Sequence, residues 1–201
     1  MLVAGSNRRV HVVDAHAGVA FTGNAADGRQ IVNRSREECV SYEDTYGIKI
    51  PSNVLSDRVS SYVHYFSLHG ALRPFGASAL IASYDQDVKK FSLHTVDPSG
   101  MAYAFYANAV GKGRQGAKTE LEKIDFEAIT VEEGVKEIAR IIDTLHDDDK
   151  DKPYELELSW ISEATGFVFQ ACSKEVVAAA QKYAKEQNAE EEDDEDDEME
   201  A

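Results

Sequence analysis

Segments in which apolar and polar residues alternate come in neighbouring groups along this chain, and segments with a three-to-four-residue apolar repeat come in pairs between them. A parallel sheet needs strands and helices to alternate singly, with a crossover after each strand. The order here is two strands, two helices, a strand meander, two helices, a hairpin and a last helix. That order predicts antiparallel sheets packed face to face, with helices outside.

The first pair of strands is expected in Arg9 to Gly23, rich in Val and small residues, with Gly18 as the interruption. From Asp27 the repeat becomes helical, through Ile31, Ser35, Cys39, Tyr42 and Tyr46, and Gly47 stands where a left-handed C-cap belongs. A second helix starts near Ser52; Leu55, Val59, Tyr62, Val63 and Phe66 face inward and Ser56, Asp57, Arg58 and Ser60 outward. Ala77 to Tyr84, Phe91 to Val96 and Met101 to Tyr106 form the meander, the last two joined by the turn Asp97-Pro98-Ser99-Gly100. Gly111 to Lys123 is helical in composition. Thr130 and Glu133 have capping-box spacing ahead of Val135, Ile138, Ala139, Ile142 and Leu145. After the loop His146 to Pro153, Tyr154, Leu156, Leu158 and Trp160 alternate with polar residues, and Thr165-Gly166 turns this strand into Phe167 to Ala171. The last helix, from Ser173, presents Val176, Val177, Ala180 and Tyr183.

Charge is concentrated at one end. Of 37 acids set against 21 bases, ten fall in residues 190–201, where there is no base and no Ser, Thr or Tyr. A net charge of −16 argues against binding a phosphate backbone. The acidic end reads as a disordered, solvated tail, 189–201, behind one domain, 1–188. No apolar run approaches the ~20 residues of a membrane span, and the first five residues are too short for a signal peptide, so the reading is a soluble intracellular protein. Cys39 and Cys172 are the only cysteines, far apart, and are expected to be reduced and buried.

Few motifs suggest chemistry. Gly111-Lys112-Gly113-Arg114-Gln115-Gly116-Ala117-Lys118-Thr119 comes near a phosphate loop, but Ala117 interrupts the Gly-Lys-Thr contiguity that aims the lysine at the anion, so a glycine-rich helix start is favoured. His11 and His16 are five apart on strand-like sequence, and His64 and His69 five apart on a helix; neither spacing lets a pair share a metal. No GxSxG elbow surrounds a serine.

Leu72-Arg73-Pro74-Phe75-Gly76-Ala77-Ser78, Ala82-Ser83-Tyr84-Asp85, Val96-Asp97-Pro98-Ser99-Gly100, Ala109-Val110-Gly111-Lys112-Gly113 and Leu121-Glu122-Lys123 occur in an order and spacing that resembles the α-type subunits of the 20S proteasome. Asn24-Ala25-Ala26-Asp27-Gly28-Arg29 stands where that family opens a helix with L-x-A-D-A-R. Glu155 to Trp160, Asp149 to Lys152 and the acid-rich end after Tyr183-Ala184-Lys185-Glu186 are similar to one member type in particular.

The resemblance implies an α+β fold: a four-layer αββα sandwich of two antiparallel sheets with outer helices, like the N-terminal nucleophile hydrolases. It also implies that the chain begins after the family's opening helix and first two strands, which would leave an unpaired sheet edge and an incomplete core. The function implied is that of a non-catalytic structural subunit of the α ring, serving ring assembly, substrate access and activator docking in ubiquitin-dependent protein degradation, in cytoplasm and nucleus. Implied partners are other α-type subunits in a seven-membered ring, β-type subunits and regulatory particles, with no nucleic acid or membrane, no cofactor and no metal. No catalytic residue is expected. The family's activator-pocket lysine falls by spacing on Arg9, which keeps the charge but not the compact ammonium. The alternatives are an enzyme using the same sandwich with its own nucleophile, and a free acidic-tailed interaction protein outside the ring.

Overall fold

The computed structural model describes residue 3, residues 5–146 and residues 154–200, with side-chain surroundings through residue 189. The chain divides into two compact units: residues 1–112 with 159–170, and residues 113–158 with 171–201.

The first unit is built on a five-stranded antiparallel sheet whose strands follow chain order: β1 (Val10–Asp14), β2 (Ala17–Gly23), β3 (Ala77–Asp85), β4 (Lys90–Val96) and β5 (Ala102–Phe105). Register places His11 opposite Val19, Val19 opposite Ile81, Ile81 opposite His94 and His94 opposite Ala104. Side chains alternate across a strand, so this row shares one face. Helices α1 (Ala25–Tyr46) and α2 (Ser52–Leu68) cover that face. Val19, Phe21, Ile31, Leu55, Val59, Ile81 and Val96 are buried together as its core. The opposite face is apolar but partly open, with Val12, Phe91, Tyr103 and Phe105 all exposed. The segment 159–170 reaches it, since Phe167 stacks on Tyr84 with ring centroids 4.2 Å apart and the Phe169 ring rests on Gly18.

The Phe169 contact explains the first departure from expectation. Gly18 lies inside β2, not between the strands, and the turn is Ala15-His16. A glycine is needed there because the Phe169 ring fills the space where a Cβ would stand, 2.1 Å away. Ser56, expected to face outward, is buried and donates its hydroxyl to the Asn53 carbonyl, 2.9 Å away. On α1, Ile31, Ser35 and Cys39 are buried and Tyr42 is half-buried as expected, while Tyr46, expected on the same face, is exposed at the last turn, and Gly47 closes the helix in the left-handed conformation.

The second unit holds α3 (Arg114–Leu121), α4 (Val131–Thr144) and α5 (Lys174–Glu200). Thr130 and Glu133 form the expected capping box: the Thr130 amide donates to Glu133 Oε2 at 2.9 Å, and the Glu133 amide to Thr130 Oγ1 at 3.3 Å. On α4 the buried residues are Val135, Ala139 and Ile141, while Ile138, Ile142 and Leu145, expected inside, are exposed. The α4 and α5 helices pack together, with the Tyr183 hydroxyl donating to Glu137 at 2.8 Å and the Asn188 amide to Asp143 at 3.0 Å. On α5, Ala180 and Ala184 are buried and Val176, Val177 and Tyr183 half-buried. Its backbone continues to Glu200, into the stretch expected to be disordered.

The alternating segment 154–160 yields only the short β6 (Ser159–Trp160), paired with β7 (Gln170–Ala171). Alternation favours a strand only where a neighbour accepts its hydrogen bonds, and residues 154–158 are assigned to no strand. The preceding loop, residues 147–153, lies outside the described residues.

Candidate functional site

Two of the signature motifs meet at the first turn of α1. Asn24 caps the helix, its Oδ1 accepting from the amides of Ala26 at 3.0 Å and Asp27 at 3.5 Å. In a capping box the third helical residue would bind back to the cap amide. Here a distant residue, Gly76, is inserted instead: the Asn24 amide donates to the Gly76 carbonyl and the Gly76 amide donates to Asp27 Oδ2, each at 2.8 Å.

Arg73 completes the arrangement with both arms of its guanidinium, Nη1 to Asp27 Oδ2 at 2.7 Å and Nη2 to Oδ1 at 2.8 Å. Nη1 also donates to the Pro74 carbonyl, 2.9 Å away. The Arg73 bonds, then the Gly76 amide, hold the Asp27 carboxyl down to about 2. Gly23 must be glycine for two reasons: its φ is +98°, and a Cβ would lie 2.3 Å from the Gly76 oxygen. Gly28, where the resembling motif has alanine, leaves room for the Phe21 ring 2.0 Å from the position of a Cβ.

Arg9 is brought to this same corner. Its Nη1 donates to the Gly23 carbonyl at 2.9 Å, and its guanidinium lies 5.2 Å from the centroid of Phe21, against which His11 stacks. Arg8 and Arg29 are near it in sequence or structure, Arg29 donating to the Ser6 carbonyl at 3.5 Å. Asp14 and Asp27 are the only acids among the first 36 residues, and Asp14 is engaged elsewhere, with Lys49 at 3.0 Å. The corner is therefore basic on an acidic chain, and it suits a carboxylate or other anionic group. The resemblance singled out Arg9; Asp27, Arg73 and Gly76 carried that resemblance without a role. A proline following an arginine, and an acid at the third position of a helix, were the signals that they act on the backbone.

The histidine pairs are not brought together on a shared ligand. Buried His16 faces the Ile50 carbonyl from Nε2 at 2.9 Å and lies 3.5 Å from the Asp14 carboxylate; His64 faces the Ser99 carbonyl and His69 the Tyr65 carbonyl, each at 2.9 Å. Burial, then the Asp14 charge, pushes the Cys39 thiol up to about 12, and burial raises Cys172 as well. A thiol so placed is a poor nucleophile at neutral pH. The hydroxyls of Thr45, Thr119, Thr144 and Thr165 each donate to a carbonyl three or four residues back. Gly113, with φ +74°, caps α3, so the glycine-rich segment is a helix start. Among the described residues no helix is long and apolar enough to cross a membrane.

The proteasome subunit family matches residues 1–161. Proteasome subunit alpha type-3 of Acanthamoeba castellanii is 45% identical over 92% of this chain and 73% of its own length. The proteins of the same description in Dictyostelium discoideum and Arabidopsis thaliana are 48% and 47% identical, each over 92% of this chain and 74% of their own lengths. The member type that Glu155 to Trp160 and the acidic end pointed to is the one these relatives carry. On this match and these identities, the chain belongs to the proteasome subunit family, among the α-type members.

Proposed function

We propose that this chain is a non-catalytic structural subunit of the α ring of the 20S proteasome core, serving ring assembly, substrate access and activator docking in ubiquitin-dependent protein degradation, in cytoplasm and nucleus. The observation that carries the reading is the identity to α type-3 relatives along 92% of the chain. α-Type subunits are generally non-catalytic, and the high Cys39 thiol accords with that. Its partners would be α-type neighbours in a seven-membered ring, β-type subunits and regulatory particles, the last docking an anionic group at Arg9. The open apolar face of the five-stranded sheet supports a second sheet layer and so the four-layer αββα sandwich. Residues 189–201 belong to this reading as a solvated tail, because like charges at helical spacing repel.

The test is to tag the chain in cells and purify it at moderate salt. Recovery with other α-type and β-type subunits in one particle is expected, with threonine-reactive probes labelling β-type chains and leaving this one unlabelled. Recovery as a free protein would favour the acidic-tailed interaction protein; stoichiometric labelling of the chain would favour an enzyme.

A further inference from the structure

The hydrogen bonds around α1 run without a break from Arg73 to Arg9. Arg73 grips the Asp27 carboxylate; Asp27 holds the Gly76 amide; the Gly76 carbonyl holds the Asn24 amide; and Gly23, one residue before, gives its carbonyl to Arg9. At Gly76 the path crosses one Cα, from the amide of one peptide to the carbonyl of the next, and at Gly23–Asn24 it runs through a single peptide. The Gly23 carbonyl belongs to the peptide whose amide, Asn24 N–H, is bonded to Gly76. A peptide is planar, so clamping its N–H sets the direction in which its C=O points. The left-handed φ of Gly23 and its close approach to the Gly76 oxygen show that this peptide leans directly on the Gly76 peptide.

We infer that Asp27 and Arg73 are positioning residues for Arg9: the ion pair holds Gly76, whose carbonyl binds the Asn24 amide and so aims the Gly23 carbonyl that anchors the Arg9 guanidinium. This deepens the docking reading given above and rests on it. The Arg73 side chain is two-thirds exposed, whereas the Asp27 side chain is only 10% exposed. An exposed ion pair contributes little to stability by itself. Its bidentate geometry and the added bond from the Gly76 amide give it a different value, that of setting one orientation for a loop that would otherwise have several. Lysine in place of Arg73 keeps the charge but cannot span both oxygens. Arg9 would then keep its cation while losing a fixed direction, which weakens an oriented contact with a carboxylate more than a diffuse attraction.

The experiment uses assembled core particles that carry this chain as their only copy of its subunit type, with purified regulatory particle as the probe and stimulated peptide hydrolysis as the readout. Four variants are titrated: Arg9→Ala, Arg73→Ala, Arg73→Lys and the double variant Arg9→Ala with Arg73→Ala. Arg9→Ala is expected to weaken half-saturation about tenfold, and Arg73→Ala about fivefold, with Arg73→Lys between Arg73→Ala and the parent. In the Arg9→Ala background, Arg73→Ala is expected to cost nothing more, because what it positions is gone. Multiplying losses in the double variant would mean a structural role independent of Arg9 and would overturn the inference. An unaltered titration for Arg73→Ala beside a clear loss for Arg9→Ala would overturn it while leaving the docking reading intact. No loss for Arg9→Ala would remove both.

Discussion

At the scale of single residues, the signature positions of this chain are explained by backbone contacts more than by chemistry of their own. Asp27 shows it well, since its carboxylate bonds two guanidinium nitrogens and one amide from a loop 46 to 49 residues away. Its carboxyl is lowered from 3.8 to about 2 in the folded chain, so the folded state binds this proton less readily than the unfolded state does. A depressed carboxylate adds stability that is fully present above the unfolded value and is lost as pH falls through the folded one. Asp27→Asn is therefore expected to destabilise at pH 7 by about 2 kcal/mol, as hydrogen bonds to charged groups do. The gap between variant and parent should close between pH 4 and 2. Paired thermal melts across that range check it; a gap independent of pH would show that the carboxylate charge is not what matters. A second expectation concerns Cys39, 1% exposed with its thiol pushed up to about 12. It should react with a disulfide reagent at pH 8 only at the rate of unfolding, while the unfolded chain reacts at once. Rapid labelling under native conditions would contradict the burial.

At the scale of elements, legibility followed the physics of each signal. Caps were legible because they are local: Gly47 ends α1 and Thr130 with Glu133 starts α4, as spacing alone indicated. The Asp97-Pro98-Ser99-Gly100 turn was legible for the same reason, Asp97 Oδ1 accepting from the Ser99 amide at 2.9 Å and the Met101 amide at 3.2 Å. What could not be read depended on distant partners. Gly18 is explained by Phe169, and Ser52 is buried because its hydroxyl accepts from Ser83, 31 residues on, at 2.8 Å. The same holds for the candidate site: Arg9 could be placed by resemblance, but its anchor at Gly23 and the Gly76 peptide behind it are tertiary facts. On α4 the helix start and the inward positions Val135 and Ala139 were read correctly, while which of its isoleucines is buried, Ile141 and not Ile138 or Ile142, was not. The capping box offers a clean test at this scale. Thr130→Ala removes the acceptor for the Glu133 amide and the hydroxyl that donates to Glu133 Oε2 at 2.7 Å, and should cost about 1 kcal/mol. Chemical denaturation measures it, and Thr130→Ser should recover most of the loss; an equal loss for serine would point to the missing methyl instead.

At the scale of the whole molecule, charge is the property with the widest reach. Residues 190–201 hold ten of the 37 acids, so their removal takes the formal charge from −16 to −6. The buried positions of α5 lie upstream, at Ala180 and Ala184, and its polar anchor to α4, Asn188, also precedes the acidic stretch. Deleting 190–201 should therefore remove repulsion without removing burial. Surface changes of this kind stay within about 0.5 kcal/mol, or roughly 1–2 °C in melting temperature for a chain of this size. The sign follows from self-repulsion: the truncated chain should melt slightly higher at low salt. That advantage should vanish near 0.15 M salt, where charges more than about 8 Å apart are largely screened. Core particles assembled with the truncated chain should form in normal yield, and any partner they lose should be one whose binding to the parent weakens steeply with salt. A melt lowered by several degrees at every salt concentration would show instead that the acidic stretch is bound to the folded body, and that its helix contributes contacts of its own.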